Sequence, residues 1–123
     1  MGKFVIIPGK KGPHFVLKAT NGQVIGVSEA YSSEKAVIQG IESIRKNAPI
    51  AKLEDQTVEG FENVTNPAFE VYRDKAGEYR FRLRARNGEI ILTGEGYKAK
   101  ASCLNGIESI RRNAPDATVF RGE

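Results

Sequence analysis

From Tyr79 to Arg86 the chain sets a ring or aliphatic side chain and an arginine in strict alternation: Tyr79, Arg80, Phe81, Arg82, Leu83, Arg84, Ala85, Arg86. Successive side chains of an extended backbone point to opposite sides, so a period of two predicts a strand with one buried face. Phe69-Glu70-Val71-Tyr72-Arg73 alternates in the same way, and Glu89 to Thr93 returns as a third strand. The punctuation between them is that of hairpins. Asp74-Lys75-Ala76-Gly77 offers Asp at the first turn position and Gly for the left-handed residue of a bulged three-residue loop. Asn87-Gly88 suits a type I′ turn, which needs positive φ at both positions. Beyond Gly94-Glu95-Gly96 the period changes. Ala99, Cys103, Ile107, Ile110 and Ala114 recur at spacings of four, four, three and four, which lays them on one helix face. Arg111 and Arg112 suit the C-terminus of that helix, Asn113 is placed to cap in the left-handed region, and Pro115 ends it. Ala117 to Arg121 then form a short last strand.

The same pattern occurs earlier in the chain. Gly40-Ile41-Glu42-Ser43-Ile44-Arg45-Lys46-Asn47-Ala48-Pro49 returns 66 residues later as Gly106-Ile107-Glu108-Ser109-Ile110-Arg111-Arg112-Asn113-Ala114-Pro115. The same offset carries Phe15, Leu17, Ala19, Asn21 and Gly22 onto Phe81, Leu83, Ala85, Asn87 and Gly88. With one residue fewer in its first turn, the first copy predicts strands over Phe4–Ile7, Phe15–Thr20 and Gln23–Ser28. A helix from Ser33 to Asn47 and a strand from Ala51 to Glu54 follow. Ser32 and Ser33 supply an N-cap. The second helix has Lys98 and Ala99 there, with Lys98 and Lys100 set against the helix dipole, so its first turn is expected to fray more.

Each unit is thus three strands, a helix and a strand. Repeat one spans 1–55, a polar linker spans 56–68, and repeat two spans 69–123. Phe61 and Val64 are expected to pin the linker to the surface. A unit of about fifty residues buries too little surface to stand alone, so the two share one core and make a single domain. The fold class is α+β: one continuous antiparallel sheet from both repeats, with two helices packed on one face.

Three marks carry a family resemblance: the Asn-Gly hairpin, the segment Ser28-Glu29-Ala30-Tyr31-Ser32, and the helical motif Asn105 to Pro115, repeated as Gln39 to Pro49. They resemble the YegP-like domain family of small, uncharacterised, mostly bacterial proteins. The resemblance covers nearly the whole chain outside the linker. It implies a pair of β3-α-β units in a single sheet, with the C-terminal strands exchanged between units; tandem members do this within one chain, so a monomer with intrachain repeat pairing is expected. It brings no established activity, cofactor or catalytic residue. The second copy departs from it at Gly94-Glu95-Gly96-Tyr97-Lys98-Ala99, where no serine stands at the helix start.

Composition narrows the class. The hydrophobic share of 40% and charged share of 28% are those of a globular protein. No apolar run approaches the ~20 residues a membrane span needs, and no signal peptide is expected, because Met1-Gly2-Lys3-Phe4 enters a strand-like run at once. Cys103 is the only cysteine, which excludes an intrachain disulfide and a cysteine-based metal site; a cytoplasmic protein is expected. Net charge is +4, shared evenly: residues 1–61 hold 8 basic and 6 acidic side chains, residues 62–123 hold 11 and 9. That is too mild to imply a polyanion partner by itself.

The row Arg80, Arg82, Arg84, Arg86 is the most suggestive chemistry. It lies opposite Phe81, Leu83 and Ala85 on the sheet and, with Tyr72, resembles a phosphate-and-base surface. Register arithmetic favours neutralisation instead. The hairpins place Arg86 opposite Glu89, Arg84 opposite Ile91, Arg82 opposite Thr93 and Glu70, and Arg80 opposite Glu95, which leaves only Arg84 without a carboxylate. Cross-strand pairs of this kind contribute roughly 0.2–1 kcal/mol each. The pairs Glu29/Tyr31 and Glu95/Tyr97 precede the helices in both copies. Two equivalent carboxylate–phenol sites for a cation or polar ligand are one reading. The favoured one is that Tyr covers the sheet while Glu faces the helix N-terminus. Gly40 and Gly106 sit mid-helix, where Gly costs about 1 kcal/mol relative to Ala, and predict close steric approach. His14 lacks an orienting partner, and Cys103 lies on the apolar helix stripe as an inert thiol. Gly9-Lys10-Lys11-Gly12 is a turn rather than a phosphate loop, since no helix follows it. The expectation is a non-catalytic interaction or accessory domain, with its partner, for which a protein is one candidate, sought on the arginine face. Nucleic-acid or polyanion binding comes next, and an enzyme after that.

Overall fold

The structure is a computed structural model and describes residues 2–122. In chain order the elements are β1 (Lys3–Ile7), β2 (His14–Lys18), β3 (Val24–Val27), α1 (Glu34–Asn47), β4 (Lys52–Asp55), β5 (Ala68–Arg73), β6 (Tyr79–Arg84), β7 (Ile90–Thr93), α2 (Lys100–Asn113) and β8 (Thr118–Arg121). All eight strands form one sheet in the order β4-β5-β6-β7-β3-β2-β1-β8. The two halves meet at its middle, where Val27 of β3 pairs with Thr93 of β7 and the Thr93 hydroxyl donates to the Val27 carbonyl at 3.3 Å.

The sheet is mixed, which corrects the expectation of a wholly antiparallel one. β4 follows α1 but lies parallel to β5 of the other repeat, and β8 follows α2 but lies parallel to β1. A tight turn forces antiparallel pairing, whereas a strand that arrives from a helix is free to pair either way. Each repeat therefore supplies the edge strand of its neighbour.

Alternation sorts the side chains as the sequence predicts. Phe4, Phe15 and Leu17 from one half and Phe69, Phe81 and Leu83 from the other are fully buried beneath Ile41, Ile44, Ile107 and Ile110 of the helices. The retained helical motif has a structural purpose. Arg45 donates to the Ala117 carbonyl at 2.6 Å and lies over the Phe4 ring; Arg111 donates to the Ala48 carbonyl and lies over Phe69. Each helix thus secures the turn that launches the other repeat's last strand.

The caps behave unequally. Ser33 accepts from the Ala36 amide at 3.1 Å, whereas Ala99 offers no side-chain cap to α2. Lys100 is nonetheless engaged, with its ammonium 2.5 Å from Asp55. Asn113 does not cap in the left-handed region. It stays helical, as does the C-cap Ala114, and its side-chain amide donates back to the Ser109 carbonyl at 2.8 Å. Asn47 does the same to Ser43. The linker is held by Val64, whose amide donates to Glu54 at 2.9 Å, and by the Lys52–Thr65 contact. Phe61 is 42% exposed, and its amide donates to the Val58 carbonyl.

Candidate interaction surface

Away from the helices, the sheet presents an outer face whose lattice is the same in both halves. Val5, Val16 and Val27 are cross-strand partners, with Phe120 beside Val5. In the second half Glu70, Arg82 and Thr93 take the corresponding places, with Glu54 beside Glu70. Ile7 and His14 likewise correspond to Tyr72 and Arg80.

The second half is a closed ion-pair network. Arg84 reaches both Glu54 oxygens, at 3.1 and 3.2 Å, contacts Glu70, and donates to Asn66 at 2.8 Å. Arg82 lies 2.6 Å from Glu70 and its guanidinium sits over the Tyr72 ring at 4.3 Å. Glu54 is 2% exposed, and its hydrogen bonds from Arg84 outweigh burial and hold its carboxyl at about 2. Arg84 is therefore the most paired arginine of the row, not the unpaired one. Its main partner comes from β4, thirty residues away, and a bulge between Leu83 and Arg84 moves it opposite Ile90 rather than Ile91. Arg80 pairs with Asp74 at 2.6 Å and with Glu78, not with Glu95, because Tyr79 bridges to Tyr97 and displaces the predicted register. Arg86 lies beyond the end of β6 and is exposed. It forms no ion pair among the described residues, and the predicted Glu89 contact is not made.

The first half is apolar at the same places. Val16 is buried, Val5, Ile7 and Val27 are half-buried, and the Phe120 ring is 48% exposed. The charged groups of this face are Lys3 and Lys18, beside the imidazole of His14, and no strand residue of it is a carboxylate. The Lys3 ammonium lies 5.4 Å from the Phe120 ring centre. Sequence reasoning passed over this patch, although a signal was present. Phe4-Val5-Ile6-Ile7 and Phe15-Val16-Leu17 do not alternate, which means that both faces of those strands are apolar.

The remaining residues resolve into packing. Tyr31 stacks on Phe15 with centroids 6.1 Å apart, and its hydroxyl lies where a Cβ on Gly40 would come within 2.3 Å. Tyr97 covers Gly106 in the same way, at 2.6 Å. Both glycines therefore admit a tyrosine, as close approach requires. Burial chiefly, then the charges of Glu29 and Glu89 beside Tyr31 and of Glu95 beside Tyr97, raises both phenols. Glu29 and Glu95 are exposed. Burial pushes the Cys103 thiol up to about 11, so it is not a ready nucleophile. His14 is half-buried in β2, and Gly12 donates to Gly9 to close a turn. Among the described residues no His, Cys, Asp or Glu group is placed to hold a metal ion, and no helix is long and apolar enough to cross a membrane.

Known proteins share this arrangement. The domain of unknown function DUF1508 matches the chain twice, over residues 10–55 and 74–120. A UPF0339 protein of Pseudomonas aeruginosa is 33% identical over 94% of this chain and 92% of its own length. A UPF0339 protein encoded beside the ptx operon of Stutzerimonas stutzeri is 67% identical over 48 residues, which is 39% of this chain and 43% of that protein. The solution structure of the Escherichia coli protein of unknown function yegP superposes with a TM-score of 0.80 at 30% identity, covering 98% of this chain and 92% of that one. A UPF0339 protein of Shewanella oneidensis gives the same score and identity over 98% and 90%. With the repeat matched in both copies and the fold shared end to end, the chain belongs to the DUF1508 (UPF0339, YegP-like) family, whose function is not known.

Proposed function

We propose that the protein is a non-catalytic interaction module of the cytoplasm that binds another protein through the apolar half of its outer sheet face. One observation carries this reading. Positions that form a closed ion-pair network in the second half are filled in the first by Val5, Val16 and Phe120, with the Phe120 ring half exposed. An aromatic ring set among aliphatic side chains on an open sheet is the composition of a contact surface. The arginine row supports the nucleic-acid alternative less, because Arg80, Arg82 and Arg84 are neutralised by their own carboxylates and have few counterions to release.

The test is a photo-crosslinking amino acid placed at Phe120 and, separately, at Tyr72, the outer aromatic of each half. In cells of the source organism the reading expects a discrete protein adduct from the Phe120 site, absent from the Tyr72 site. Adducts of equal yield from both, or an adduct with nucleic acid from Tyr72, would overturn it.

A further inference from the structure

We propose that β8 accepts an extended acidic segment of the partner protein as a ninth strand, laid against Phe120. The proposal rests on the interaction reading above and specifies its chemistry. It begins with the backbone. The Thr118 amide donates to the Gly2 carbonyl and the Gly122 amide to Ile6, so even-numbered residues of this segment face β1. In a parallel ladder the alternate residues point the other way, which leaves the N–H and C=O groups of Val119 and Arg121 aimed outward from the sheet. A row of unpaired edge groups is a template for another strand.

The opposite edge differs in its side chains. Beside β4 the linker folds back, with the Val64 amide donating to Glu54 and the Lys52 ammonium donating to the Thr65 hydroxyl, and Asp55 is engaged by Lys100 and Thr57. The strand buries Glu54 where β8 exposes Phe120. Of two edges built from the same repeat, one is lined by the chain's own polar side-chain contacts and the other carries a half-exposed ring.

Charge selects the occupant. A ninth strand sets every second side chain on the outer face, next to Phe120 and to the Lys3 ammonium above it. Lys18 pairs with Lys3 across β1 and β2, and the face has no strand carboxylate of its own to answer them. Apolar residues alternating with Asp or Glu complement that surface. A second copy of this chain does not supply them at this edge, since β8 itself reads Thr118-Val119-Phe120-Arg121 and carries no carboxylate. An edge of four residues makes a small contact, so binding in the range of roughly 10–100 μM is expected.

The probe is a capped heptapeptide alternating Glu and Val, with the Lys–Val peptide as its control, titrated into the ¹⁵N-labelled full chain. The expected result is that the Glu–Val peptide shifts the Val119 and Arg121 amides, slows their hydrogen exchange, and binds at least tenfold tighter than the Lys–Val peptide. Phe120→Glu, checked for a native amide spectrum, should weaken it at least tenfold. Shifts at Val5 and Val27 with unprotected Val119 and Arg121 would overturn strand addition while leaving the interaction face standing. Equal affinity for both peptides would overturn the acidic partner. Protection of Val119 on concentrating the chain alone would make the occupant a second copy, and binding to phosphatidylglycerol vesicles with no response to either peptide would make it a membrane; either result overturns the proposal. Silence from both peptides also overturns it, and the Phe120 crosslink then decides separately whether the surface reading survives.

Discussion

The two halves are alike inside and unlike outside. Facing the helices, Phe15 and Phe81, Leu17 and Leu83, and Ile44 and Ile110 hold matching buried places. On the outer face the first half sets Val5, Val16 and Phe120 where the second sets Glu70, Arg82 and Glu54. The inner likeness follows from packing. An interior at crystal-like density leaves little freedom, and two repeats that share one core constrain each other. The outer difference has no such cause, since either filling is compatible with the same strands. Repetition within one chain thus separates what the fold requires from what it merely allows, and the allowed part is where function is to be sought.

The inner likeness is broken most directly by truncation. Ile44→Ala and Ile110→Ala should each cost about 2–5 kcal/mol in urea unfolding, as deletion of a buried aliphatic does, and should agree with each other to within about 1 kcal/mol. A large disagreement would mean that the two helices are not equivalent in the core.

The outer difference predicts a comparable loss on one side only. Glu54→Gln leaves the Arg84 guanidinium, 16% exposed, without its bidentate partner, and should cost roughly 3 kcal/mol. The pH dependence sharpens this. A carboxyl held below its ordinary value contributes stability that is complete above that value and is lost as pH falls through the depressed one. For Glu54 that window runs from about 4.5 down to about 2. Acid titration of unfolding should show this component in the wild type and lack it in Glu54→Gln.

The glycines distinguish the repeats more finely. In helix propensity alone Gly→Ala would stabilise, but a Cβ at either site meets a tyrosine hydroxyl, and overpacking costs about 1–3 kcal/mol. Removing the hydroxyl should rescue only one of them. With Tyr97→Phe, the nearest atoms to a Cβ on Gly106 are 3.2 and 3.3 Å away, so Gly106→Ala becomes tolerable. With Tyr31→Phe, a ring carbon remains at 2.7 Å from a Cβ on Gly40, so Gly40→Ala stays destabilising. Equal rescue at both sites, measured by thermal unfolding, would show that the Tyr31 ring is freer to move than its stack on Phe15 allows.

The caps give the smallest difference. Ser33→Ala should cost about 1 kcal/mol, and Ala99→Ser should gain somewhat less, as expected for an N-cap hydroxyl. Unfolding midpoints that shift in the opposite order would contradict the cap assignment.

Much of this was legible before the structure. The places of the hairpins at Asn21-Gly22 and Asn87-Gly88, of the helix ends before Pro49 and Pro115, and of the inner face follow from period and local punctuation. The type I′ turn does not form: only Gly22 and Gly88 take positive φ, while Asn21 and Asn87 do not. What was not legible is non-local. Strand direction after a helix leaves no mark on alternation, so the parallel pairing of β4 and β8 was missed. Arg84 was judged by its hairpin neighbours, while its partner Glu54 arrives on an exchanged strand. The apolar patch is written in the unbroken runs Phe4 to Ile7 and Phe15 to Leu17, whose two apolar faces carry no mark of which one meets the helices.

The central claim is that the apolar outer patch serves binding rather than folding, and one paired measurement on Phe120→Glu tests it. The ring is half exposed, so its replacement should move the urea midpoint by no more than about 0.5 kcal/mol equivalent, as surface changes do. The same variant, carrying the crosslinker at Ile7 of the same face, should lose the protein adduct that the parent forms from that site. A variant destabilised by more than about 1 kcal/mol that still forms the adduct would contradict the account, because the patch would then belong to the fold.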